Sequence, residues 1–427
     1  MKGKRLFSVV LCFGLLTAFA IPLVNAADKE QAKAQKERLG KLLFFDTNLS
    51  TPEGQSCASC HAPETGFTGI DPKINEGGSV YEGAAKGRFG NRKPPASSYG
   101  GDSPVLHYDK QEKVWIGGMF WDGRATGAKL KDPLAEQAQG PFLNPLEQNI
   151  PDEKTLCLKV QKANYAPLFE EVWGKGSFNC DNNAAAVYAQ IGWSIAAYER
   201  SAEVNPFSSK FDYWLRNKVE LSAKEKKGLK LFNGKGKCAE CHLSAKRNKT
   251  EHPLFTDFTY DNLGIPKNPQ NPYYAMPAQW NPDGKSYVDQ GLGGFLKEAG
   301  YQPKQYKSEL GKFKVPTLRN VDKRPSPELT KAYGHNGYFK SLKEIVHFYN
   351  TRDVLGKCET IKEPRPAVNC WPEPEVKANI NKKELGNLRL SEEEEDAIVA
   401  FMQTLSDNYA AESQQSNTSH KKGSLSK

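Results

Sequence analysis

Residues 226–242 read KKGLKLFNGKGKCAECH, and residues 54–61 read GQSCASCH behind the similar lead-in ERLGKLLFFDTNLS at 37–50. Both end in C-x-x-C-H: Cys57, Cys60 and His61 in one copy, Cys238, Cys241 and His242 in the other. Two thiols in one short turn can form thioethers to the vinyl groups of a haem, and the adjacent histidine then reaches the iron. This is the c-type haem attachment signature. One copy alone is shared with zinc and dithiol redox sites; two copies behind an export leader are specific. Each lead-in has helical apolar spacing, with Leu39, Leu42 and Leu43 expected on one face of the first and Leu229 and Phe232 on one face of the second. Ser222 with Glu225, and Ser391 with Glu394 before a last helix, make capping boxes. A helix running into a haem turn, twice, predicts a mainly α protein: two cytochrome c-like haem domains with long irregular loops, carrying two covalently bound haem c.

Residues 1–26, MKGKRLFSVVLCFGLLTAFAIPLVNA, have a basic start, an apolar stretch and small residues at the end. They read as a secretory signal peptide, with an apolar run too short for a stable membrane span. The mature chain is expected in the periplasm. Loss of Lys2, Lys4 and Arg5 takes the formal charge from +9 to +6, no footprint of nucleic-acid binding. Haem domains are expected over 27–205 and 206–407, with a disordered polar tail over 408–427. The stretch 266–284, PKNPQNPYYAMPAQWNPDG, carries turn chemistry. Cys157, Cys180, Cys358 and Cys370 lie outside the haem motifs. They allow three connectivities, and pairing near neighbours gives two local disulfides.

Three further stretches, FWDGRA (120–125), EQAQGPFLNPLE (136–147) and FKVPTLRNV (313–321), resemble the bacterial di-haem cytochrome c peroxidase and MauG family, over nearly all of the mature chain and in its order. The resemblance implies that His61 is the proximal ligand of the peroxidatic haem and His242 that of the electron-transfer haem. It makes Glu147 the distal acid/base carboxylate, Gln137 a second distal residue, and Trp121 the indole between the haems. Arg319 and His335 match positions near the inter-haem region. A calcium site is implied only in part: Thr330 matches one ligand position and Asn91, more loosely, another. Two departures stand out. The segment from FWDGR to EQ is longer, with GAKLKDP near its middle. The family's ordinary members carry a histidine after the first haem motif that caps the iron, whereas here no histidine lies between His61 and His107. The first haem is therefore expected to stay open to peroxide.

For the sixth ligand of the second iron there are four candidates: Met276, His347, Tyr349 and Met402. The family's ordinary peroxidases place a methionine at the position that Tyr349 holds here, and MauG-type members a tyrosine. His347, two residues earlier, would sit about 200° round a helix from Tyr349. Tyr349 is the preferred ligand and Met276 the runner-up. The HFYNTRD stretch and the late cysteine pair resemble MbnH-type members as well. The resemblance implies an oxidoreductase that uses hydrogen peroxide to form a high-valent haem state and oxidises a partner protein, as electron donor or at a side chain such as tryptophan. The alternatives are a peroxidase drawing electrons from a small cytochrome c or copper protein, and a non-enzymatic di-haem electron carrier; Glu147 and the missing capping histidine oppose the carrier. A monomer or homodimer would serve any of these. The intact mass of protein matured in a competent host should exceed that of the leader-free polypeptide by two haem groups, and a gain of none or one would overturn the two-haem reading.

Overall fold

Helix Ala26–Phe45 carries the first lead-in and lies across helix Ala184–Glu199, on which helix Pro133–Leu143 also packs. In the computed structural model, which describes residues 26–245 and 252–410, the second lead-in repeats this arrangement, with helix Ala223–Asn233 across helix Glu392–Gln403. Both crossings have a glycine at closest approach. A Cβ on Gly40 would stand 1.9 Å from the Ser194 carbonyl oxygen, and one on Gly228 1.9 Å from that of Ala397. The capping boxes at Ser222 and Ser391 form as their sequences predict, each serine accepting from the glutamate N–H three residues on.

Each crossing seeds its own core. The first gathers Leu39, Leu43, Phe44, Phe142, Ile191 and Ile195; the second gathers Phe211, Phe232, Phe255, Phe348, Trp371 and Phe401. Leu42, expected on the buried stripe, is instead 36% exposed. Gly40 and Phe44 join Leu39 and Leu43 on the buried face, turning its centre roughly 130° from Leu42. The protein is mostly helical, and its sheet among the described residues is three two-stranded pieces. Residues 266–284 form short 3-10 turns, in keeping with their turn chemistry. Cys157 with Cys180, and Cys358 with Cys370, stand at disulfide distance, with Cα atoms 5.6 and 5.0 Å apart.

The expected leader spans residues 1–26, of which 1–25 lie outside the described residues and Ala26 opens the first helix. The disorder expected from residue 408 does not extend to its first residues. Asn408 and Tyr409 donate their N–H groups to Ser208, and the Tyr409 ring lies 6.1 Å from that of Tyr213, so these residues dock; 411–427 lie outside the description. Among the described residues, no helix is long and apolar enough to cross a membrane.

The halves are joined by buried charge. Arg92 pairs with Asp122 at 2.5 Å and reaches across to Asp289 at 2.6 Å. Burial alone would raise the Asp289 carboxyl; the Arg92 guanidinium beside it overrides this and holds it at about 2. Its folded pKa lies below its unfolded one, so the pair adds stability above about pH 4 and loses it as the pH falls toward 2. Asp289→Asn should therefore lower stability at neutral pH by about 2–3 kcal/mol, with the gap to wild type closing in acid; denaturant unfolding across pH checks both.

Candidate functional site

The C-x-x-C-H copies fold alike. Cys57–Ser59 and Cys238–Glu240 are 3-10 turns, and the His61 and His242 N–H groups donate to the Cys57 and Cys238 carbonyls at 3.0 and 2.8 Å. The ring Nδ1 of His61 meets the Phe67 carbonyl at 3.1 Å, and that of His242 meets the Phe255 carbonyl at 2.8 Å. Both phenylalanines have left-handed backbones, φ 61° and 54°, which turn these carbonyls toward the rings. A Nδ1–H held in this way leaves Nε2 as the metal-facing lone pair. Burial pushes His61 down to about 4 and lowers His242 as well, so both rings are neutral and able to ligate.

Two cavities open beside these turns. The first is lined by Cys57, Cys60 and His61 together with Gln137 and Glu147, the two residues expected to be distal. Gln137 stands on helix Pro133–Leu143; Glu147 follows the Asn144-Pro145 turn, its N–H bound to the Asn144 carbonyl at 3.0 Å. Burial raises the Glu147 carboxyl, against the pull of Arg124. Among the described residues, His61 is the only histidine lining this cavity; His107 lies on an exposed hairpin strand, its Nδ1 at the Val105 carbonyl.

The second cavity is lined by Cys238, Cys241, His242, Tyr349 and Met402. Tyr349 stands on helix Leu342–Thr351. His347 faces away and binds the Glu395 carboxylate at 2.9 Å, as the 200° offset requires. Met276 does not line the cavity, whereas Met402 does. Arg319 and His335 line it too. Arg319 pairs with Asp212 at 2.7 Å, yet its Nη2 has no hydrogen-bond partner, and neither ring nitrogen of His335 has a hydrogen bond. Apolar walls, unpartnered buried N–H groups and a Cys-Cys-His turn suit a planar apolar group bearing carboxylates, as haem does.

Trp121 lines both cavities. Its Nε1–H donates to the Lys93 carbonyl at 2.8 Å, and its own carbonyl accepts from the Lys314 N–H at 2.8 Å, which fixes the indole in the shared wall. The two residues expected at a calcium site are engaged by other side chains. Asn91 donates its side-chain N–H to the Tyr287 hydroxyl at 2.7 Å, while Thr330 is engaged by Asn75 and Glu76. Among the described residues the close group of metal-type side chains is Cys241, Asp261 and Glu384, and it includes a haem-attaching cysteine.

Sequence reasoning missed several buried charges. Lys93 and Lys314 line the second cavity and are pushed down by burial to about 8 and about 7. Glu199, on the crossing helix of the first half, lines the first cavity and is pushed up to about 8 by burial. A carboxylate closing the apolar run AAAVYAQIGWSIAAYE was the available signal; the lysines sit in polar stretches and gave none.

The sequence profile of the family "Di-haem cytochrome c peroxidase" matches residues 34–220. Methylamine utilization protein MauG of Paracoccus denitrificans (strain Pd 1222) is 33% identical over 409 residues, covering 93% of this chain and 96% of that one. The chain belongs to the di-haem cytochrome c peroxidase family. Cytochrome-c peroxidase IdrP1 of Denitromonas iodatirespirans is 26% identical over 90% of this chain and 85% of its own length. The crystal structure of the diheme peroxidase BthA from Burkholderia thailandensis E264 superposes with a TM-score of 0.69 at 28% identity, over 87% of this chain and 86% of that one. This di-haem peroxidase is thus an oxidoreductase acting on peroxide. Glu147→Gln should slow peroxide consumption by about 10²–10⁴-fold, the usual worth of general acid–base help, while leaving the absorption spectra of the loaded protein unchanged; an unaltered rate in rapid mixing would make Glu147 a bystander.

Proposed function

We propose that this protein is a MauG-type enzyme that consumes peroxide in its first cavity and oxidises a side chain of a partner protein, with tryptophan among the candidate side chains. The observation that carries this reading is Tyr349, which lines the second cavity with Cys238, Cys241 and His242 while His347 and Met276 stand outside it. Bound haem, one held by Cys57, Cys60 and His61 and one by Cys238, Cys241 and His242, supplies an iron for peroxide and an iron that stores charge.

The side chains do the rest. Glu147 takes a proton from one peroxide oxygen and returns it to the other, a task suited to a carboxyl raised by burial. The Gln137 amide hydrogen-bonds the peroxide and holds its orientation. Among the described residues, His61 alone of the histidines lines the first cavity, which supports a haem face left open beside Glu147. Trp121, touching both cavities, divides one long electron transfer into two shorter ones. Tyr349 is the proposed sixth ligand of the second iron: a thioether there favours the ferrous state, whereas a phenolate oxygen favours the ferric. The two separate cores support haem domains over 27–205 and 206–407. The leader and the two cysteine pairs support export to the periplasm, where disulfides persist.

One observation favours the ordinary cytochrome c peroxidase reading, in which a small redox protein only donates electrons. Met402 also lines the second cavity and offers a thioether. Electron paramagnetic resonance of the ferric protein decides between them. The low-spin signal is expected to be lost in Tyr349→Phe and kept in Met402→Leu and His347→Ala, and peroxide with a candidate partner should add oxygen to, or remove hydrogen from, that partner by mass. A signal that survives Tyr349→Phe and disappears in Met402→Leu would replace the MauG-type reading with the ordinary one.

A further inference from the structure

Thr330 is followed by a lysine whose ammonium is buried at the junction of the two halves. The Nζ of Lys331 donates to the Thr65 carbonyl at 2.8 Å in the first half, and to the Asn320 and Lys323 carbonyls at 2.8 and 3.0 Å in the second. Three acceptors match the three N–H groups of an ammonium, leaving none unused. The residue is only 5% exposed, and its cage is tight: a Cβ on Gly66, next to Thr65, would stand 2.5 Å from the Asn320 side chain. Burial and the nearby Lys93 charge lower the pKa of Lys331, and the Asp322 carboxylate opposes them.

A second cage lies close by in the chain. The Nζ of Lys340 donates to the Asn75 and Gly77 carbonyls at 2.8 and 2.7 Å and lies 3.1 Å from the Ser79 hydroxyl, all in the first half. It also donates to the Gly337 carbonyl at 2.6 Å in the second half. Helix Pro72–Glu76 ends here, so the lysine satisfies carbonyls that a helix terminus leaves orphaned. The two cages are linked through Asn75, whose side-chain N–H donates to the Thr330 carbonyl at 3.0 Å.

We infer that Lys331 and Lys340 together are a built-in cation bridge between the two halves, standing in for the bridging calcium that the family resemblance implies. Calcium asks for six to eight oxygens at about 2.3–2.6 Å. Here the Thr330 carbonyl and hydroxyl are committed to Asn75 and Glu76, Asn91 is turned to Tyr287, and the converging carbonyls already hold ammonium groups at hydrogen-bond distance. A divalent ion added beside Lys331 would also meet its charge and that of Lys93. The bridge is thus covalently part of the chain, and no chelator can extract it. This inference stands apart from which partner is oxidised.

The test uses the haem-loaded protein. Metal analysis after desalting should find no stoichiometric calcium, and neither EGTA nor added calcium should shift the unfolding temperature or the low-spin resonance. Lys331→Met and Lys340→Met, which keep the apolar stem and remove the charge, should each lower the unfolding temperature by roughly 5–10 °C through carbonyls left buried without donors. One calcium per chain, or a change in either readout with EGTA, would overturn the inference. So would wild-type unfolding temperatures in both variants. Should Lys331→Met fail to fold, the chelator result on the unaltered protein and the Lys340→Met melt still decide.

Discussion

A Cβ at Gly40 would stand 2.9 Å from the Tyr198 Cβ, and one at Gly228 2.8 Å from the Phe401 Cβ, besides the still closer carbonyls of the helices beneath. Everything near the cofactors hangs on these two crossings. Where the lead-in helix has no side chain, its backbone seats directly on the helix below, and that distance sets where the following C-x-x-C-H turn emerges. A methyl group would push each pair apart and carry the cysteines and histidine with it. Glycine normally weakens a helix interior by up to about 1 kcal/mol. The packing of Phe44 and Phe232, both fully buried beside these glycines, offsets that loss.

The two crossings would make two unrelated cytochromes if the halves did not share a wall. Trp121 belongs to both cavities, with its indole N–H held by the Lys93 carbonyl and its own carbonyl by the Lys314 N–H. Behind it lies a layer of buried charge: Arg92 between Asp122 and Asp289, and the lysines with their carbonyl cages. Breaking any of these would leave a buried charge or carbonyl unpaired, which is costly. The halves are therefore held at one spacing, and electron transfer, which falls steeply with distance, needs that constancy.

Chemical character is divided between the cavities by what points into them. The first holds a carboxyl raised by burial and an amide, groups that handle protons and hydrogen-bond an oxygen. The second holds a phenol, a thioether, a guanidinium with one nitrogen left without a hydrogen bond and an imidazole with none, which suit a ligated cofactor with carboxylate arms. One indole, that of Trp121, lies in the wall of both cavities.

Much of this was legible from residue order alone, because it depends on local rules. The C-x-x-C-H turns, the lead-in helices, the capping boxes at Ser222 and Ser391, and the offset that turns His347 from Tyr349 all follow from covalent spacing and helical period. Gln137 and Glu147 reach one cavity because they lie ten residues apart on either side of a helix end. What was not legible depends on contacts between distant segments. Leu42 turned outward once Gly40 and Phe44 set the buried face, and Met402 reached the second cavity where Met276 did not. Lys331 and Lys340, ordinary surface residues by type, reach carbonyls of both halves, the first of them buried and the second half-buried. A lysine's sequence neighbours set none of this: its charge is stable in the interior only where carbonyls from several parts of the chain converge, and convergence is a property of the fold.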